Sequence, residues 1–214
     1  MLDYILPELT AGRDLKQRSD FHKYDVLEHS LRAALYADKS IRLAALLHDV
    51  GKPFCISRDG NTFSHPEEGE KLVRCILTRL KAPTKTIDET AKLVALHMYD
   101  FNCKTGENKL RRFFAAHAPI LEKLLLLKQA DFSACKDNLS IAPTCLRWQT
   151  ILDKLQQDRA PLSIKQLALC GKDLLEAGVE PCRISELLQR LLFHAVCNPK
   201  DNKKDRLIKL ALKL

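Results

Sequence analysis

Six side chains of two kinds, His29, His48, Asp49, His65, His97 and Asp131, stand where apolar helical patterning asks for hydrocarbon or where a helix should start or end. Imidazole with carboxylate suits a divalent Mn, Ni, Co, Fe or Zn ion, and the lack of thiolate partners argues against a structural zinc site. The stretch AALLHDVGKP (44–53) is the sharpest case, because an apolar run gives way at once to His48 and Asp49. Adjacent helical residues point about 100° apart, so both reach one ion only where the helix is ending. Gly51 reads as that ending, through backbone conformations that other residues avoid. Lys52 follows, either as a cation for a phosphate or as a helix-dipole partner at the C-terminus.

The other four residues also conflict with their surroundings. His29 shares a helix face with His22, Val26 and Ala33, where a histidine in isolation is more often a satisfied core residue than a ligand. Asp131 falls three and four residues after Lys128 and Leu127, and burying a carboxylate on that stripe requires a cation opposite. His97 shares a stripe with Leu93, Val94 and Phe101, and His65 stands at a helix start, just before Pro66. Each alone has a structural reading, as a capping or core histidine or a carboxylate paired with Lys or Arg. Their repetition favours a shared ligand.

Helices are needed to position these residues. Residues 24–38 carry Val26, Leu27, Leu31, Ala34 and Leu35 at helical intervals, and 41–49 form a short, nearly all-apolar helix. HPEEGEKLVRCILTRL starts another helix, with further ones at 86–99, 109–116, 119–135 and over TCLRWQTILDKLQQ. SRDGNTFS (57–64) reads as a loop or tight hairpin around Asp59-Gly60, and KTGEN (104–108) as a loop. DRAPLS (158–163) looks like a connection to short helices punctuated by Gly178, Pro181 and Pro199. The expected class is all-α, with a boundary near 158.

Composition agrees with that class and limits the functions open to the chain. Its 214 residues are 46% hydrophobic with only 7 Gly. The formal charge is +8, and the last 17 residues contribute +4 of it, six Lys/Arg against two Asp. A basic surface is compatible with nucleic acid or phosphorylated ligands. Eight cysteines occur without any CxxC, the N-terminus lacks a signal-peptide pattern, and no apolar run approaches the ~20 residues of a membrane span. The expectation is a cytoplasmic protein with reduced thiols and no membrane partner.

The ordered set His29, His48-Asp49 and Asp131 resembles the H…HD…D pattern of HD-domain metal-dependent phosphohydrolases, and HDVGKP matches their HDxGK signature. The resemblance implies an HD helical bundle over 1–158, with His65 and His97 as the two extra histidines of dinuclear members. It further implies one or two divalent ions (Mg among the options), His48, Asp49 and Lys52 as catalytic groups, and Lys52, His22, Arg111 and Arg112 as substrate contacts. DFHKYDVLEHSL, LAALLHDVGKP, LRRFF and GKDLLEAGVEPCRISELLQRLL are also similar to the carboxyl half of bacterial CCA-adding tRNA nucleotidyltransferases, making 159–214 a basic helical tail of that type. Pro181-Cys182 stands where that family usually has Pro-Gly. The chain has no Asp-x-Asp, which nucleotidyl transfer needs in an amino-terminal head, so a complete chain of this kind is expected not to add nucleotides.

The function these resemblances imply is hydrolysis of a nucleotide, or of a 2′,3′-cyclic or terminal phosphate of RNA. The alternative is a tRNA-binding module, or a fragment of a nucleotidyltransferase whose catalytic head lies on another segment or chain.

Overall fold

The computed structural model describes residues 1–214 and contains α-helices and short 3-10 turns with no β-strand, as the composition indicates. The first nine helices are α1 (Leu2–Ile5), α2 (Pro7–Thr10), α3 (Val26–Tyr36), α4 (Arg42–Leu47), α5 (Lys52–Asp59), α6 (His65–Arg79), α7 (Thr84–Leu96), α8 (Glu107–His117) and α9 (Leu121–Lys136). α10 (Pro143–Gln157), α11 (Gly171–Glu176), α12 (Ile184–Cys197) and α13 (Lys204–Ala211) complete the chain. No helix is long and apolar enough to cross a membrane.

Two compact units emerge, one formed by 1–101 with 122–145, the other by 102–121 with 146–214. This division differs from a single cut near 158. The second unit gathers α8 and most of α10 with the tail because Phe113 and Phe114 of α8 pack their rings against the buried Trp148 of α10. Leu187, Leu191 and Leu192 of α12 are buried in the same unit, where Arg111 of α8 also donates to the Val196 carbonyl.

In the first unit, α6 and α7 form an antiparallel pair across the sharp Leu80–Pro83 connection, and α4 packs beside α3. Leu27, Leu47, Val50, Val73, Ile76, Leu77, Ala91 and Val94 make their common core. Removing each of the Leu, Ile and Val side chains from water contributes about 1.5–3 kcal/mol.

Three local expectations change. The buried face of α3 is Val26, Leu27, His29, Ser30 and Ala33, while Leu31 and Leu35 are exposed, so the helix turns its histidine inward in place of Leu31 and Leu35. No hairpin forms at 57–64: α5 runs through Asp59 and stops at Gly60, whose left-handed φ of 68° lets its N–H close on the Ile56 carbonyl. Phe101 leaves the His97 stripe and is exposed, because α7 ends at Leu96.

The C-terminal end of α9 is tied to α3 through Asp137. Its carboxylate accepts from the Tyr24 hydroxyl, from the Tyr36 hydroxyl at 2.8 Å and from Arg32 Nη1 at 2.7 Å. The Tyr24 hydroxyl, then Tyr36 and Arg32, hold this carboxyl below its ordinary value of 3.8. A depressed carboxyl contributes stability above its unfolded pKa, and the contribution is lost as pH falls through the folded one. Asp137→Asn is therefore expected to flatten the loss of thermal stability below about pH 4, read from melting curves between pH 3 and 6.

Candidate metal centre

Five helices deliver the six side chains. His29 lies in the first half of α3, and Asp131 lies within α9. His48 is the C-terminal cap of α4, with Asp49 just past the helix end, so the two adjacent side chains can turn to one point. His65 is the first residue of α6, and His97 is the C-terminal cap of α7. Backbone carbonyls fix three of the rings: His48 Nδ1 donates to Ala45 at 2.8 Å, His65 Nδ1 to Thr62 at 2.6 Å and His97 Nδ1 to Val94 at 2.6 Å. With Nδ1 committed to a carbonyl, each Nε2 is turned inward.

The inward atoms form two groups that share Asp49. In the first, His29 Nε2 lies 3.2 Å from His48 Nε2, 3.0 Å from Asp131 Oδ1 and 3.6 Å from Asp49 Oδ2. His48 Nε2 lies 3.3 Å from Asp49 Oδ2 and 3.5 Å from Asp131 Oδ1. In the second, His65 Nε2 lies 3.2 Å from His97 Nε2, while Asp49 Oδ1 is 3.3 Å from the former and 3.8 Å from the latter. Such separations suit donors bonded at about 2.0–2.2 Å to one ion. Two lone pairs facing each other at 3.2 Å repel unless a cation or proton lies between them, and buried Asp49 Oδ2 accepts no hydrogen bond. The residues present fit a divalent ion in each group.

A family profile for the HD domain matches residues 26–132, a span that contains all six side chains. The chain belongs to the HD-domain family. Relatives extend the similarity beyond the HD domain. An A-adding tRNA nucleotidyltransferase of Deinococcus radiodurans is 34% identical over 210 residues, covering 89% of this chain and 47% of its own length. A CC-adding tRNA nucleotidyltransferase of Thermus thermophilus is 33% identical over 143 residues, covering 61% of this chain and 32% of its own length. A multifunctional CCA protein of Legionella pneumophila (strain Paris) is 28% identical over 166 residues, covering 72% and 40%. The chain thus spans less than half the length of these relatives and is homologous to their HD-containing region.

The electrostatics of the HD domain's centre also ask for a cation. Burial alone would lower the His48 imidazole, yet Asp49 and Asp131 overcome it and raise the group to about 10. Against the opposing effect of burial, His48 and Lys52 draw Asp49 well below the carboxylate range, and His48 and His29 do the same to Asp131. His97 is held well below its usual value by burial and by the neighbouring His65 and His48. Two ionised carboxylates among imidazoles form the hard and borderline donor set that HD domains offer to divalent metals. Asp131 keeps 25% of its side chain exposed, against 5% or less for the other five, so the first group has the open side.

Lys52 opens α5, where the helix dipole disfavours a cation, so the reading as a C-terminal dipole partner gives way to an ion pair. Its Nζ stands 2.6 Å from Asp49 Oδ2, without hydrogen-bond alignment, and 2.7 Å from Gln17 Oε1. His22 packs its ring edge-on against His29 at 4.8 Å, and burial, then Lys52, lower it to about 4, so it is neutral at physiological pH. Cys135 lies within 4.8 Å of both histidines' ligand atoms, but burial and Asp131 push its thiol up to about 12, keeping it protonated.

Arg111 and Arg112 lie in the other compact unit. The Arg111 guanidinium is buried against Glu107 at 2.8 and 3.0 Å, so its charge is already matched. Sequence reasoning missed two residues. Gln17 has no pattern to mark it, and Lys128, read only as part of the α9 stripe, donates to the His97 and Tyr99 carbonyls at 2.7 and 2.6 Å. A buried lysine one turn before Asp131 was the available signal for the second.

Proposed function

We propose that this HD domain is a metal-dependent phosphohydrolase acting on a nucleotide, or on a 2′,3′-cyclic or terminal phosphate of RNA, in the cytoplasm. The observation that carries the reading is Asp49, one buried carboxylate whose two oxygens face two separate groups of imidazole donors. Divalent ions bound in such a pair lower the pKa of water from about 16 towards 7 and polarise phosphoryl oxygens.

In this reading, His29, His48, Asp49 and Asp131 hold one ion, and Asp49, His65 and His97 hold the second. Burial of the four histidines excludes bulk water and strengthens every charge interaction inside. Lys52 supplies a point charge for a phosphoryl oxygen. His22 stays neutral beside His29, able to donate or accept one hydrogen bond at the substrate side.

Chelation with EDTA, followed by re-addition of Mn²⁺, Ni²⁺, Co²⁺, Fe²⁺, Zn²⁺ or Mg²⁺, tests the reading on a panel of phosphomonoesters, cyclic phosphates and nucleotides. Loss of hydrolysis on chelation and recovery with at least one ion is the expected result. Equal rates with and without metal would overturn it.

A second reading is supported by the Deinococcus relative, whose similarity covers 89% of the chain and so runs well past residue 132. In it the chain holds tRNA as a module or part of a longer nucleotidyltransferase. Salt-sensitive tRNA binding without phosphohydrolase activity would favour this reading over the first.

A further inference from the structure

Lys52 is held from two sides by groups of different charge. Asp49 is an ion-binding carboxylate, whereas Gln17 comes from the irregular segment between α2 and α3 and is a neutral amide. The amide's orientation is set by its own donors: Gln17 Nε2 reaches the carbonyls of Tyr24 and Asp25 at 3.4 and 3.5 Å, which turns Oε1 towards the ammonium. The segment itself is anchored on the C-terminal end of α9, since the Lys23 N–H donates to the Cys135 carbonyl at 2.9 Å and Lys136 Nζ to the Asp20 carbonyl at 2.6 Å.

We propose that Gln17 is the positioning residue that presents Lys52 to a phosphoryl oxygen of the substrate. The inference rests on the phosphohydrolase reading above. An ammonium has three donors; Gln17 accepts from one, Asp49 attracts the charge without an aligned hydrogen bond, and donor capacity is left for a ligand. A lysine stem is flexible, and without Gln17 the ammonium has only Asp49 to restrain it. The neutral amide restrains the charge without cancelling it. A glutamate of nearly the same shape would pair with Lys52 and repel a phosphate.

The test measures binding of inorganic phosphate to the metal-loaded protein by calorimetry, with metal content and melting temperature recorded for each variant. Gln17→Leu is expected to weaken phosphate binding about tenfold, the usual worth of a hydrogen bond to a charged group. Gln17→Glu is expected to weaken it at least as much, with metal content unchanged. A merely structural role would not produce this second result, because the shape is kept. Wild-type phosphate affinity in Gln17→Glu would overturn the proposal. Lys52→Met separates the two levels. If it weakens phosphate binding and neither Gln17 variant does, Gln17 alone is misassigned. If it leaves phosphate affinity unchanged, the role of Lys52 in the phosphohydrolase reading fails as well.

Discussion

Replacing Asp49 with alanine is expected to abolish ion binding in the second group, weaken it in the first and lower the proposed phosphohydrolase turnover by on the order of 10³-fold or more. The expectation follows from its two oxygens. Oδ2 stands within 3.6 Å of His29 and His48, and Oδ1 within 3.8 Å of His65 and His97. Without them the second group retains only two imidazoles, too few to hold an ion against water. The first retains His29, His48 and Asp131 with one carboxylate charge instead of two. Metal analysis of purified Asp49→Ala should therefore show fewer ions per chain than His65→Ala, which removes a ligand from the second group alone. Asp49→Asn keeps the volume and loses the charge, so it separates a charge requirement from packing. An Asp49→Ala protein with wild-type metal content would refute the shared-carboxylate arrangement.

Gly51→Ala is expected to cost about 3 kcal/mol of stability or more and to displace His65 from the second group. A methyl group on Gly51 would stand 2.3 Å from the His65 carbonyl oxygen and 2.8 Å from the Gly69 amide nitrogen. Both obstacles are backbone, at the first turn of α6, and neither can swing aside as a side chain can. Relief requires α6 to move away from the turn after α4, and His65 is the residue at the point of contact. Gly60→Ala provides the comparison. Its φ of 68° makes alanine strained, but nothing lies within 4 Å, so the expected cost is only about 1 kcal/mol, with metal content unchanged. Thermal melts and metal analysis of the two variants decide the matter; equal behaviour would show that close approach at Gly51 is unimportant.

Gly51 also shows where sequence reasoning stops. Its type and place after His48-Asp49 mark a helix end, and the structure has α4 end at Leu47. The reason for glycine is different from the expected one. Its backbone angles, φ −76° and ψ −20°, are ordinary helical values open to any residue. The requirement comes from α6 crossing at contact distance, and nothing local in the sequence encodes that crossing.

The chain by itself determined the all-α class, most helix positions and the six His and Asp side chains that the fold brings together, because helical periodicity and a misplaced polar side chain are local properties. It could not rank Leu31 and Leu35 of α3 below His29 and Ser30 for burial, since the inward face depends on what packs against it. Nor could it divide the compact units, which follow contacts such as those of Phe113 and Phe114 with Trp148 rather than chain order. Only the tertiary structure decided that Asp49 faces two imidazole groups, that Lys52 answers to Gln17 35 residues earlier, and that Arg111 is committed to Glu107. Ligand types are written in the sequence; which atoms meet within 4 Å is set by helix packing, which sums many weak contacts between residues distant in the chain.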